Sequence, residues 1–142
     1  MTQLRQVHTA LAVATRGQGL YEMTAEVVNW VSGQGMTTGL LTLFCRHTSA
    51  SLVIQENADP DVALDLAEWF RRAAPEGASW MRHTAEGADD MPAHIKSALT
   101  SASLSIPLIE GRLALGTWQG IYLFEHRAAP HRRQVALHLL GE

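Results

Sequence analysis

The sequence predicts an α+β fold, a largely antiparallel sheet or β-sandwich with two or three helices. Three observations carry this. Short segments of alternating or continuously apolar residues recur toward both ends of the chain, the pattern of strands. Between them lie stretches whose apolar residues repeat at helical spacing, bounded by capping and stop residues. Turn signals punctuate the whole length, but no repeat, low-complexity tract or linker divides its 142 residues. Residues 1–142 therefore read as one domain, of the size at which roughly 70% of the unfolded chain's surface can be buried.

Val7, Thr9, Leu11 and Val13 alternate with His8, Ala10 and Ala12, predicting a half-buried strand that ends near Arg16-Gly17-Gln18-Gly19. Leu20 to Met23 makes a second short strand. Thr24 is placed to cap a helix with Val27, Val28, Trp30 and Val31 on its apolar face and Gly33 and Gly35 as stops. From Gly39 to Cys45 the run is apolar except for Thr42, as for a central strand covered on both faces. The small polar residues His47 to Ser51 are an unfavourable continuation, and Leu52-Val53-Ile54 resumes a strand that ends at Gln55-Glu56-Asn57.

The clearest helix runs from Pro60 to Ala74. Asp59 is its N-cap, Asp61 lies in its first turn, Arg71 and Arg72 complement the far end of the dipole, and Pro75 stops it. Val62, Leu66, Trp69 and Phe70 form one stripe, expected to be core. After a Gly-rich charged loop, Thr84 to Asp90, the residues Met91, Ile95 and Leu99 share a face of a shorter helix, with His94 off that stripe. Strands follow at Ser103–Pro107, Arg112–Gly116, Gly120–His126 and Arg133–Leu140.

A net charge of −3 and a pI near 6.1 exclude a broad cationic footprint, so no nucleic acid partner is expected. No stretch approaches the ~20 apolar residues of a spanning helix, and Met1 to His8 contains no signal-like apolar run. With Cys45 alone, no internal disulfide forms. A cytoplasmic protein without a membrane partner is the expectation. Seven histidines are the first anomaly.

No Walker A loop, GxGxxG, CxxC, HExxH or GxSxG occurs, leaving three polar clusters. The first is His47-Thr48-Ser49-Ala50-Ser51 with Glu56-Asn57-Ala58-Asp59. A histidine at a strand end followed by hydroxyls suits a metal ligand with an anion beside it, or a hydrogen-bonded structural histidine. The second runs from His83 to Lys96, where His83 and His94 flank Asp89-Asp90. It gathers imidazole, carboxylate and ammonium as a metal-plus-phosphate site requires, although helix capping also explains the aspartates. The third joins Gly116-Thr117-Trp118-Gln119-Gly120 to Glu125-His126-Arg127. Alternation puts Glu125 on a face with Ile121 and Leu123, as an acid, base, ligand or salt-bridge partner of Arg127, Arg132 or Arg133. Trp118 stacks on a ring or fills a gap.

The strings His-Thr-Ser-Ala-Ser, Glu-Asn-Ala-Asp-Pro-Asp-Val, Ala-His-Ile-Lys and Gly-Thr-Trp-Gln-Gly-Ile-Tyr-Leu resemble those of the YjbQ family, also called UPF0047, with the likeness strongest from Gly39 to Glu142. The resemblance implies a homotrimer of α+β sandwiches. It also implies a secondary, low-level thiamine-phosphate synthase activity, joining hydroxymethylpyrimidine diphosphate to thiazole phosphate with release of pyrophosphate. By position it makes His47, His83 and His94 metal ligands. Glu56, Asn57, Lys96, Trp118, Gln119 and Glu125 match further polar motif positions.

Loss of pyrophosphate needs its charge neutralised. The expected catalytic set is Glu125, Lys96 and Asp89. Thr48, Ser49, Ser51, Glu56, Asn57, Arg112, Trp118 and Gln119 are expected to bind a small phosphorylated substrate, Lys96 and Arg112 supplying positive charge and Trp118 a stacking surface. Three histidines suit zinc, whereas magnesium, which a diphosphate favours, prefers oxygen ligands. A zinc centre with an open position would also activate water with Glu125 as base, so the alternative is a metal-dependent hydrolase of a phosphorylated or small cyclic substrate. A third reading is a non-catalytic trimer that binds a metal or anion.

Overall fold

Alternating and continuous apolar runs give eight strands and three helices among residues 3–142, which the structure, a computed structural model, describes. In chain order they are β1 (Arg5–Thr15), β2 (Gly19–Glu22), α1 (Thr24–Ser32), β3 (Gly39–Cys45), β4 (Ala50–Glu56), α2 (Pro60–Ala73), α3 (Asp90–Leu99), β5 (Ser103–Ile109), β6 (Arg112–Leu113), β7 (Gln119–Glu125) and β8 (His131–Gly141). The strands form a five-stranded sheet, β1-β8-β3-β5-β6, and a three-stranded sheet, β2-β7-β4, with every pairing antiparallel. The α+β fold and its antiparallel sheets are as the patterning predicts. No helix among the described residues is long and apolar enough to cross a membrane.

The core lies between the sheets. Leu41 and Leu43 of β3, Ile106 of β5 and Leu137 and Leu139 of β8 meet Leu52 of β4 and Ile121 and Leu123 of β7, and α1 closes one side with Val27 and Val31. Thr24 opens α1 but does not cap it. Its hydroxyl donates to Glu22 and accepts the backbone N–H of Ile121, joining the helix to β7. Gly39 and Gly141 face each other where β3 meets β8. A Cβ on Gly39 would strike the Leu140 carbonyl and one on Gly141 the Thr38 carbonyl, so the close strand approach requires glycine at both.

Two-sided burial falls on β7, not on β3. In β3 the inward Leu41, Leu43 and Cys45 are buried, but Leu40 and Phe44 are 44% and 49% exposed on the outer face. Every residue of β7 from Gly120 to Glu125 is buried, because α2 and α3 cover the side of its sheet that faces away from the core. There Phe70 of α2 packs edge-on against Phe124 with ring centroids 5.2 Å apart. Asp59 caps α2 as expected, its carboxylate accepting the Asp61 N–H. The stripe of α2 is not core, however: Val62, Leu66 and Phe70 are half-buried and Trp69 is exposed. Likewise α3 buries Asp90, Pro92, Ala93 and Lys96, leaving Leu99 in solvent. Both helices lie on a narrow sheet of three strands, which covers less of each helix than a two-sided core would.

One polar brace crosses the core. Glu125 at the end of β7 is 0% exposed, and Arg133 of β8 donates to both of its oxygens, from Nε at 2.6 Å and Nη2 at 2.5 Å. The Thr15 hydroxyl of β1 and the Arg127 N–H donate to the same carboxylate, while Arg133 also bonds the carbonyl and hydroxyl of Ser49. Burial pushes the Glu125 carboxyl upward, but the bonds from Arg133, Arg127 and Thr15 together hold it below the ordinary carboxylate value. Removing one member strands the other's charge in the core. Glu125→Gln is therefore expected to cost about 3–5 kcal/mol in denaturant unfolding, and the double replacement Glu125→Leu with Arg133→Met to cost less than the single one. A loss in the double replacement equal to the sum of the separate Glu125→Leu and Arg133→Met losses would mean the pair is not coupled.

Candidate metal centre

The first turns of α3 and the loop before it build the most ordered polar cluster. Asp90 and His94 stand at i and i+4, hence on one face of the helix. His83 reaches the same place across the loop of residues 84–89, in which Gly87 takes a φ of +107° that other side chains rarely adopt. Arg127, just beyond β7, clamps this loop. Its Nε donates to Asp89 Oδ2 at 2.9 Å, its Nη1 pairs with Asp90 Oδ1 at 2.8 Å and its Nη2 donates to the Glu86 carbonyl at 2.8 Å. The Ala128 N–H also bonds Asp89 Oδ2.

Arg127 thus occupies one oxygen of Asp90 and turns the other to the histidines. Asp90 Oδ2 lies 2.6 Å from His83 Nε2 and 3.2 Å from His94 Nε2. His94 Nδ1 is 2.9 Å from the Thr48 carbonyl, which only accepts, so Nδ1 carries the hydrogen and neutral His94 presents the lone pair of Nε2 to the carboxylate. Two acceptors face each other, an arrangement that calls for a proton or a metal cation. Asp90 is buried, and although burial raises its carboxyl, the bond from His83 and the charge of Arg127 outweigh this and keep it below its ordinary value.

One atom each from His83, Asp90 and His94 lies within 4.8 Å of the other two, close enough for small side-chain rotations to bring all three onto one ion. The donor set fits the metal. Two imidazoles and a carboxylate suit zinc or another first-row ion better than magnesium, and the bond from His94 Nδ1 to a backbone carbonyl is the orientation expected of a ligating imidazole.

The third expected ligand lies elsewhere: the Thr48 carbonyl, not the His47 ring, faces His94. His47 Nε2 accepts the Gln134 N–H at 2.8 Å, and burial, followed by the charge of Arg133, lowers the pKa of its ring. His47 instead lines a cavity of about 700 Å³ with Arg46, Thr48 and Ser49.

The other expected site residues divide among several places. Glu125 is saturated by its ion pair and its bonds, so it is a brace and not a free base. Asp89 holds the loop to Arg127 and neither caps α3 nor faces the histidines. Lys96 follows His94 by two residues, so α3 directs it to another side, where it lines a separate cavity. Ser49 is engaged by Arg133, and Ser51 is buried against His126 Nε2 and the Thr100 hydroxyl. Thr48 alone of the three hydroxyl residues is exposed.

Glu56, Asn57, Trp118 and Gln119 gather at the opposite end of the three-stranded sheet, where Glu56 pairs with Gln119 and the Asn57 N–H bonds the Trp118 carbonyl. The length of β7 separates them from Glu125, roughly 20 Å at about 3.3 Å per residue. Arg112 sits on the edge strand β6 near α1. The residues missed as site members are Asp90 and Arg127. The i, i+4 spacing of Asp90 and His94 was the available signal for the first; nothing local marks Arg127, whose partners lie about forty positions away.

The whole arrangement has relatives. The family model described as "UPF0047 protein YjbQ-like" matches residues 9–142. The chain is 54% identical over 138 residues to UPF0047 protein sll1880 of Synechocystis, covering 97% of this chain and 94% of that one. It also resembles the crystal structure of an uncharacterized conserved YjbQ/UPF0047 family protein from Clostridium acetobutylicum, at 34% identity and a TM-score of 0.80, with 94% and 98% of the two chains covered. A YbjQ-like protein of unknown function from Sulfolobus solfataricus shares the fold at a TM-score of 0.90 and 24% identity, over 99% of this chain and 100% of that one.

Two outcomes follow from the geometry. Arg127→Met frees Asp90 to rotate and is expected to weaken zinc or cobalt(II) binding about 10–100-fold by calorimetry or the cobalt absorption spectrum; unchanged affinity would remove Arg127 from the site. Burial, reinforced by the charge of Lys96, pushes His126 down to about 3. Its folded pKa lies below the ordinary ~6.5, so its contribution to stability is complete above that value and is lost as pH falls toward the folded one. The pH dependence of unfolding free energy between about 6.5 and 3 should therefore be shallower in His126→Gln than in the parent.

Proposed function

The chain belongs to the UPF0047 YjbQ-like family, and on that premise we propose that it is a metal-dependent enzyme of small phosphorylated molecules, with secondary thiamine-phosphate synthesis as its reaction. The observation that carries the metal reading is the convergence of one ligand atom each from His83, Asp90 and His94 within 4.8 Å of one another. A zinc or similar divalent ion held there would neutralise charge on a departing diphosphate, with magnesium a further choice for a diphosphate substrate. In the reaction the thiazole nitrogen forms a bond to the pyrimidine methylene carbon. The bond from that carbon to the diphosphate oxygen breaks, and pyrophosphate leaves with the electron pair.

Residues of this chain set the geometry. His83, Asp90 and His94 would hold the ion, Arg127 holds Asp90, and the Thr48 carbonyl fixes the tautomer of His94. Beside His83 opens a cavity of about 360 Å³ lined by Met81, Met91 and small residues, suited to an uncharged ring.

We read the molecule as a cytoplasmic homotrimer. A surface favours the assembly: on the outer face of the five-stranded sheet Leu40 pairs with Leu140 and Phe44 with Ala136, leaving Leu40, Phe44 and Leu140 exposed together. In a trimer the Glu56, Asn57, Trp118 and Gln119 cluster of one protomer would supply to a neighbour's metal centre the stacking and polar contacts that its own protomer places at the far end of the sheet.

One observation favours hydrolysis as a second reading. The His83 side chain is 45% exposed, so an ion there would keep a position open to water. Product analysis separates the two. Pyrophosphate released only when both ring substrates are present supports the synthase; phosphate released from one substrate alone supports the hydrolase. His94→Ala and removal of the metal by chelation are each expected to lower kcat/KM by about 100-fold or more with the fold intact by circular dichroism. Turnover that survives both would overturn the metal-dependent reading.

A further inference from the structure

Behind α3, on the side away from His83 and His94, lies a cavity of about 360 Å³ lined by Gln18, Arg71, Ala74, Pro75, Glu76 and Lys96. Lys96 is only 5% exposed, and among the described residues its ammonium group has neither a hydrogen bond nor an ion pair. Its stem is packed away while the ammonium reaches the solvent in this cavity, a cation to which the described residues offer no counter-ion within bonding distance. Burial lowers the pKa of Lys96, and of the charges that act on it Glu76 raises it and Arg71 lowers it further. Arg71 commits its Nε and Nη2 to Glu68, leaving Nη1 without a partner. Gln18 stands on the turn between β1 and β2 and adds an amide that can donate.

We propose that this cavity binds a small oxyanion, a carboxylate or a phosphate group, with the unpaired Lys96 ammonium as its cation and Arg71 and Gln18 as donors at the rim. The volume admits a small molecule and no more. Arg71 is already paired with Glu68, so Lys96 against Glu76 leaves a nearly balanced site, which suits a ligand of low charge over a polyanion. Helix geometry separates the site from the metal centre: Lys96 and His94 are two residues apart on α3 and project to different sides, so the two sites can be occupied independently.

Calorimetric titration of the full chain with inorganic phosphate and, separately, with acetate tests the site, and the anion that binds assigns its class. Saturable binding of one of them is expected, weakened about ten-fold or more by Lys96→Met, since a charge-assisted bond is worth that much. Gln18→Glu changes an exposed turn residue and so spares the fold, but puts a carboxylate at the rim and should block binding. Glu76→Gln should tighten it. His83→Ala should leave it unchanged, which separates this site from the metal centre. Absence of saturable binding of either anion, binding that survives both Lys96→Met and Gln18→Glu, or binding lost with His83→Ala would each overturn the proposal.

Discussion

The relation between the two sheets depends on the buried pairing of Glu125 with Arg133. Apolar packing is non-directional and would tolerate a range of sheet-to-sheet shifts; a two-point bond between a carboxylate on β7 and a guanidinium on β8 tolerates far fewer. Because Thr15 of β1 and Ser49 of the β3–β4 connection bond the same pair, four segments are tied at one end of the sandwich. The two residues after Glu125 use that fixed point. His126 turns toward Ser51, and Arg127 turns outward to clamp Asp89 and Asp90. The order at the cluster of His83, Asp90 and His94 is thus inherited from the core.

Much of the fold was legible in residue patterns, because alternation and helix caps are local. The span of β3, the Asp59 cap and the terminal strands need only neighbouring residues. What covers each face was not legible. An apolar run suggests that both sides of a strand avoid water, but not whether helices of the same chain cover them: α2 and α3 cover β7, whereas Leu40 and Phe44 of β3 are left exposed. The stripe of α2 reads as core for the same reason, since periodicity marks a face without measuring the width of the surface beneath it.

The site was legible in part. His83 and His94 come together as their flanking of the aspartates suggested, and Asp90 stands where His47 was expected. Lys96 and His94 are close in sequence yet diverge on the helix, whereas Arg127 and Asp90 are distant in sequence and touch. Proximity along the chain is a poor guide at two residues on a helix and no guide at forty. Hydroxyl residues such as Ser49 and Ser51 carry a further ambiguity, because the groups that would bind a phosphate also satisfy buried arginine and histidine side chains.

The order of strands in the larger sheet has a consequence for biosynthesis. β8, the last strand in the chain, lies between β1 and β3, and Arg5 pairs with Gly141 across nearly the whole sequence. Until β8 emerges from the ribosome, β1 has no partner in that sheet and β3 lacks its neighbour on one side. The nascent polypeptide therefore carries unpaired strand edges until β8 is made and completes this sheet only in a long-range step.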